Sequence, residues 1–385
     1  MRLTRARVRD PLWLLAALLV GGLLLAACGA EDIADDPGVD DPEPAVEDDD
    51  EVVEEEPEEE PEEEPEAEPD PGRVSLRWAT SDVGSYGYAV ASYMVDFLNR
   101  ELPEGHVVTV HPYPSTTAAM KAVMDGEAEI GYTADVGMIE FFDREGPFED
   151  YEPGEGDLVH SFYAYPMESF LLTTEGNVDQ YSTYADFDGE PVFFTPAGFM
   201  NWLNFSRIFE ALGYEFNHVE IDSATVADAL QGGTIVGAGS YTTAGASLPT
   251  FWREAELRAD LAAVEYTDEE IELLEAAGLS PVPVDPAVAF TQDLGVDEVL
   301  GVPIQFGYNL RADMDEELVY QMLTIFEDNA ELLTSLDDGF GPLADDFVGT
   351  QTGAIRAAAD IPVHAGLARF LEERDAWEDD WTIAD

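Results

Sequence analysis

The chain has 385 residues, with 84 Asp and Glu against 16 Lys and Arg, a formal net charge of −68 and 45% hydrophobic residues. That acidity excludes nucleic-acid binding through phosphate neutralisation, while 20 Phe, 15 Tyr and 6 Trp supply ample core material, so the chain is not disordered throughout. A single Cys excludes an intramolecular disulfide framework and a cysteine-based zinc cluster, since each needs at least two thiols.

Residues 1–28 carry Arg2, Arg5, Arg7 and Arg9, then an apolar run from Pro11 to Leu25, then Ala26-Ala27-Cys28. Charged, apolar and small-residue stretches in that order mark a secretory signal. Gly21 and Gly22 interrupt the run, which is barely long enough to cross a bilayer, and this disfavours an uncleaved span. Leu25-Ala26-Ala27-Cys28 looks like a bacterial lipobox, whose Cys becomes the acylated first residue of the mature protein, so Cys28 is the expected lipid anchor. Residues 29–72 form an acidic linker, with 24 acids and no base between Glu31 and Asp70. Such a segment repels itself, has little to bury and is expected to stay extended between membrane and domain.

From Arg73 onward 59 acidic residues face 12 basic ones, and Lys121 is the only lysine in the chain. A folded domain with that excess repels itself in dilute buffer. Adaptation to high salt, where screening shortens to roughly 3 Å at 1 M, is the expected reason, and attraction to a basic partner is the alternative.

The alternation of Arg73 to Thr80 predicts a strand, and the apolar spacing from Tyr86 through Val90, Met94 and Phe97 predicts a helix over Tyr86 to Asn99. Val107 to Tyr113 reads as a strand, Ser115 to Met124 as a helix opened by hydroxyl caps, and Glu129 to Thr133 as a third strand. His160 to Thr174 reads as one or two longer strands and Asp186 to Thr195 as a turn and strand. Asn201 to Leu212 reads as a helix ended by Gly213. A second α/β unit continues through Val219 to Ile221, a helix over Ser223 to Leu230, and Ile235 to Gly239. Asp268 to Ala277, Glu316 to Leu333 and Ile355 to Glu373 are expected to be helical. Strands alternating with helices predict an α/β fold built on a parallel sheet.

Ligands of open parallel sheets sit beyond the carboxyl ends of the strands, where loops enter helix N-termini. Those loops are Thr80 to Tyr88, Tyr113 to Thr117, Thr133 to Asp135 and Thr195 to Asn201, rich in Ser, Thr, Tyr and Gly. Free N–H groups and a partial positive charge at such termini suit an anion without a dedicated basic residue. The candidate ligand-binding residues are Ser81, Ser85, Tyr86, Tyr88, Ser115, Thr116, Thr133, Asp135, Gly198 and Asn201. For Ser115 and Thr116 ordinary capping is the competing reading. His106, His111, His160 and His218 have no metal-ligand spacing, and nucleophile-elbow, phosphate-loop and zinc-helix motifs are absent, so no metal, cofactor or catalytic residue is expected. His364, between a prolyl turn and Gly366, reads as structural.

Four stretches resemble the TAXI family of TRAP-transporter solute receptors. They are Ala79-Thr80-Ser81 with Gly84-Ser85-Tyr86; Val107 to Val110 with Pro114-Ser115-Thr116, Asp125 to Ile130 and Asp135-Val136; Asp186 to Val192; and Ile361-Pro362-Val363-His364-Ala365-Gly366-Leu367-Ala368-Arg369-Phe370. The resemblance implies a two-lobed type II periplasmic-binding-protein fold with a cleft between lobes, lobe 1 being residues 73–181 plus 305–385 and lobe 2 residues 182–304. It further implies an extracytoplasmic receptor rather than an enzyme. Held on the outer face of the cytoplasmic membrane or in the periplasm, it would capture a small organic anion, a carboxylate above all, and deliver it to a TRAP-type ion-coupled permease. The binding component of an ATP-driven importer, a hydrolase using the cleft, and a cell-surface adhesin or sensor are the alternatives. Pro196-Ala197-Gly198-Phe199-Met200 stands where the family has Pro-Gly-Ser-Gly-Thr, which removes two polar contacts, and Phe199, Met200 and Trp202 predict a more apolar lobe 2 wall.

Overall fold

In the computed structural model residues 74–384 are described; the expected signal segment, Cys28 and the acidic linker lie outside them. The chain opens with β1 (Val74–Thr80), α1 (Tyr86–Glu101), β2 (His106–Pro112), α2 (Thr116–Met124), β3 (Ile130–Ala134) and α3 (Asp135–Asp143). α1 and α2 begin where a side chain satisfies an orphan donor: Ser85 Oγ accepts from the Tyr88 N–H at 3.1 Å and Ser115 Oγ from the Ala118 N–H at 3.2 Å. One face of α1, including Val90, Met94 and Leu98, is buried against Trp78 and Leu76 of β1 in the largest core.

Next come β4 (Leu158–Val159), β5 (Tyr163–Thr174), β6 (Val192–Phe193), α4 (Met200–Leu212), α5 (Val226–Gln231), β7 (Gly237–Thr243) and α6 (Thr250–Ala255). They are followed by β8 (Leu261–Ala263), α7 (Asp268–Ala276), β9 (Val282–Val284), α8 (Pro286–Ala289) and β10 (Val299–Arg311). Gly213 ends α4 in the left-handed conformation at φ 74°, where a residue without Cβ is unstrained. The chain closes with α9 (Glu316–Asp328), α10 (Ala330–Leu336), α11 (Gly341–Ala357) and α12 (Ala365–Glu372).

The strand order is β2-β1-β3-β10-β5-β7-β6. The local βαβ units are parallel as expected, β1 with β2 and β3, and β6 with β7. A wholly parallel sheet is not what forms, because β10 runs antiparallel to β3 and β5, and β5 antiparallel to β7. The reason is that β5 and β10 carry the chain out to the second half of the molecule and back. Met167 of β5 packs in the first core and Phe170 and Leu171 in the other two; on the return Val302 packs with the second half and Ile304 with the first.

Other departures have local causes. Val219 to Ile221 forms no strand, and His218 makes only a single bridge to Val192. Glu316 to Leu333 is two helices broken at Asn329, whose Nδ2 donates to the Ile325 carbonyl at 2.8 Å and to Glu101 Oε1 at 2.9 Å. Ile355 to Glu373 is interrupted because Pro362 cannot continue a helix. The new helix starts after His364, whose Nδ1 accepts from the Gly366 N–H at 3.0 Å while Nε2 donates to the Met314 carbonyl at 3.1 Å. Burial lowers the pKa of His364 and keeps the ring neutral, as this donor–acceptor split requires.

Candidate functional site

A cavity of about 760 Å³ opens between the two halves, within the size range of small-molecule sites. One side is made by the β1–α1 loop, Asp82 to Tyr86, with Pro114. The other is made by Thr195, Pro196 and Phe199 before α4, by Glu220 to Ala224, by Tyr241 of β7, and by Phe251 and Glu254 of α6. A narrow inner end of about 30 Å³ is walled by Ser81, Thr116, Tyr132, Met167, Asn201 and Phe306 and shares Ser85, Tyr86, Thr195, Phe199 and Tyr241 with the outer cavity.

A relay of hydrogen bonds sets the polarity of that inner end. Asn204 Nδ2 donates to the Val302 carbonyl at 3.1 Å, which fixes its amide, and also to Ser169 Oγ at 3.0 Å. Ser169 must then spend its proton on Asn201 Oδ1 at 2.6 Å, leaving Asn201 Nδ2 without a partner. Thr195 Oγ1 is likewise buried and unpaired. Only 3% of Asn201 and 4% of Thr195 is exposed, so each unmatched group carries a desolvation cost that a ligand atom would remove. Thr195 also sits at φ 74°, unusual for a β-branched residue and the kind of local strain that collects at ligand sites.

Ser81, Ser85, Tyr86, Thr116 and Asn201 are therefore brought together at the cavity. Ser81 and Thr116 hydroxyls lie 3.5 Å apart there. Ser115 stands behind them as the α2 cap, and the N-terminus of α2 is further closed by the Gly198 carbonyl, which accepts from the Thr117 N–H at 3.3 Å and from Thr117 Oγ1 at 3.0 Å. Gly198, at φ 91°, thus meets the first half directly, and a Cβ there would lie 3.1 Å from Ser115 Oγ. Tyr88, Thr133 and Asp135 do not line either part of the cavity. Thr133 is buried, with its hydroxyl donating to the Ala134 carbonyl at 3.3 Å.

Asp135 opens α3, and its carboxylate accepts from the Val136 N–H at 2.7 Å. Burial pushes its pKa up to about 6 against the opposing Val136 and Gln305 backbone hydrogen bonds and the Arg207 charge. The native state then holds a proton that the unfolded chain has released between about pH 4 and pH 6, so stability falls as pH rises through that window, by up to about 3 kcal/mol. Asp135→Asn keeps the acceptor for Val136 and should remove this slope. Urea unfolding of both proteins at pH 5 and pH 7.5 tests it, and equal pH slopes would refute it.

Several cavity residues carried no individual signal in the sequence. Tyr241 and Phe251 meet edge-on at 6.3 Å between ring centroids. Asp337 Oδ1 accepts from Tyr86 Oη at 2.8 Å and from Ser247 Oγ at 2.6 Å, tying the C-terminal helices to both sides of the cleft. Burial, and then the Asp337 charge, hold the Tyr86 phenol well above its ordinary pKa, so it stays a donor.

No curated protein matches the chain. Among solved structures, MatC from Rhodopseudomonas palustris with bound malate aligns with a TM-score of 0.50 at 12% identity, over 75% of this chain and 98% of that one. The periplasmic aliphatic sulphonate binding protein SsuA from Escherichia coli aligns with a TM-score of 0.43 at 17% identity, over 79% and 94%. The molecule has the two-lobed type II periplasmic-binding-protein fold, with the cleft between its lobes. Residues 78–374 match the NMT1-like family, and the chain belongs to that family.

Proposed function

We propose that the protein is a solute receptor that takes a small organic molecule into the cleft and hands it to a membrane permease. The observation that carries this reading is the pair of buried, unpartnered groups, Thr195 Oγ1 and Asn201 Nδ2, at the inner end of a cavity open to solvent. Both can donate, and Ser81 and Thr116 add hydroxyls beside them, so an oxygen-bearing head group, a carboxylate above all, is the matching ligand chemistry. Binding rather than catalysis is the role we assign to the site. Lobe 1 in this reading ends at Met167 rather than at residue 181 and resumes at Ile304 rather than at residue 305, and the lobes close by a hinge in β5 and β10. The Gly198–Thr117 and Ser247–Asp337 hydrogen bonds are those that opening would break. The TAXI-like stretches support a TRAP-type ion-coupled permease as the recipient, and Leu25-Ala26-Ala27-Cys28 supports a lipid anchor at the outer face of the cytoplasmic membrane.

A thermal-shift screen of the full chain in molar salt against amino acids, keto acids, dicarboxylates and aromatic carboxylates tests the reading. One class should give a saturable shift, worth about 2.7 kcal/mol at a hundredfold excess over Kd. Thr195→Gly should then weaken that ligand by about 1 kcal/mol. Its stability should change by less than about 1 kcal/mol, because relief of the positive φ offsets the added freedom of the unfolded chain. A flat response to every class would overturn the receptor reading.

A further inference from the structure

The two ends of the cavity differ in electrostatic character. The inner end offers hydroxyl and amide donors, two of them buried and unpartnered. The outer wall carries four carboxylates, Asp82, Glu220, Asp222 and Glu254. Beside them stand four aromatic rings, those of Tyr86, Phe199, Tyr241 and Phe251, and no Lys or Arg lines either part among the described residues.

The local pairing of these carboxylates leaves negative charge facing the cavity. Glu220 Oε2 lies 2.9 Å from His218 Nε2 and accepts from the Ala197 N–H at 3.3 Å, and Glu254 meets Arg258 at 3.7 Å on an exposed helix face. Among the described residues the Asp222 carboxylate accepts only from the Ala224 N–H, at 2.9 Å, and caps the turn that follows it. Among the described residues neither Asp82 nor Asp222 has a basic side chain within ion-pair distance. Partial burial pushes the Asp82 pKa up, the signature of a carboxylate that would gain from a counter-charge.

Apart from Arg258 on Glu254, cations of the first half are engaged away from the cavity. Arg77 holds Glu129 at 2.7 Å, Arg311 holds Asp313 at 3.1 Å, and Lys121 Nζ donates to the Pro147 carbonyl at 2.8 Å beneath the rings of Phe148 and Tyr151. An anion entering this mouth meets like charge with no Lys or Arg in the lining, whereas a cation meets carboxylates and the negative faces of aromatic rings.

We infer that the ligand is bipolar, a short carboxylate seated at Thr195 and Asn201 that bears, remote from the carboxylate, an amine or quaternary ammonium group held in the outer cavity. This rests on the receptor reading above and narrows its ligand class.

Three probes with the same five carbons separate the possibilities: δ-aminovalerate, valerate and glutarate, titrated calorimetrically into the full chain in molar salt. δ-Aminovalerate should bind at least about tenfold tighter than valerate, with glutarate weakest. Asp82→Asn and Asp222→Asn should each bring δ-aminovalerate toward valerate. Glu254→Gln, a change on an exposed helix face, gives the same readout should a loop variant fail to fold. Valerate or glutarate binding as tightly as δ-aminovalerate would overturn the bipolar ligand while leaving the receptor standing. Binding of none of the three would also overturn it, and the class screen above then decides the receptor reading separately.

Discussion

Gly307→Ala is expected to leave almost no folded protein. Gly307 lies in β10 where its pairing with β5 shifts register between Phe306 and Gly307. A Cβ there would run into the carbonyl oxygen of Phe162 and approach Tyr163 Cα to 2.8 Å. Both are backbone atoms of a neighbouring segment, so no rotamer change relieves the clash. The Phe162 carbonyl also accepts from the Tyr308 N–H at 2.9 Å, so moving it breaks a strand contact in the centre of the sheet. The cost should exceed about 4 kcal/mol, a large share of a typical domain's stability. Gly353→Ala is the control, since Gly353 is a helical residue in α11 with open space around its missing Cβ, and it should gain about 0.5–1 kcal/mol. Denaturant midpoints of the two variants check both statements. A Gly307→Ala protein within about 1 kcal/mol of the parent would refute the close approach.

The midpoint of thermal unfolding is expected to rise by on the order of 10 °C or more between dilute buffer and molar salt, several kcal/mol at about 2–4 °C per kcal/mol for a large domain. Two effects of screening compete. Ion pairs such as Arg369 with Glu317 and Arg100 with Asp96 weaken, but they are exposed, and exposed pairs contribute about 0–1 kcal/mol each. Against them stand 59 acidic residues with 12 basic ones from Arg73 onward, so most carboxylates have only like charges as neighbours. Shortening the screening length from about 10 Å at 0.1 M to about 3 Å at 1 M removes more repulsion than attraction. A midpoint that stays constant or falls would mean that the ion pairs outweigh the excess charge, and adaptation to high salt would have to be abandoned.

Much of the framework was legible because its causes are local. Ser85 and Ser115 cap the helices that follow them, Gly213 ends α4, and the 3.6-residue spacing of Val90, Met94 and Leu98 marks the buried face of α1. The loops after β1, β2 and β6 could be placed for the same reason, and Ser81, Ser85, Tyr86, Thr116 and Asn201 of those loops do reach the cavity. Where local rules compete, the reading slipped. Pro303 with Gly301 and Gly307 hides the alternation of β10, which forms because β3 and β5 supply its partners from far along the chain.

The site's chemistry was not legible in the same way. Asp135 follows β3 just as Ser81 and Thr116 follow β1 and β2, yet it is buried and lines neither part of the cavity. Asn201 owes its unpartnered amide to a relay from Val302 through Asn204 and Ser169, in which Asn204 and Val302 stand 98 positions apart. Asp337 joins Tyr86 across 251. By itself the sequence determined the acidic character, the helix and turn signals and the alternation of strand and helix, because charge, capping and periodicity are properties of neighbouring residues. Only the tertiary structure decided the antiparallel crossing strands, the unsatisfied donors and the acidic aromatic mouth, because each depends on which distant side chains leave one another paired or unpaired once the two halves have packed.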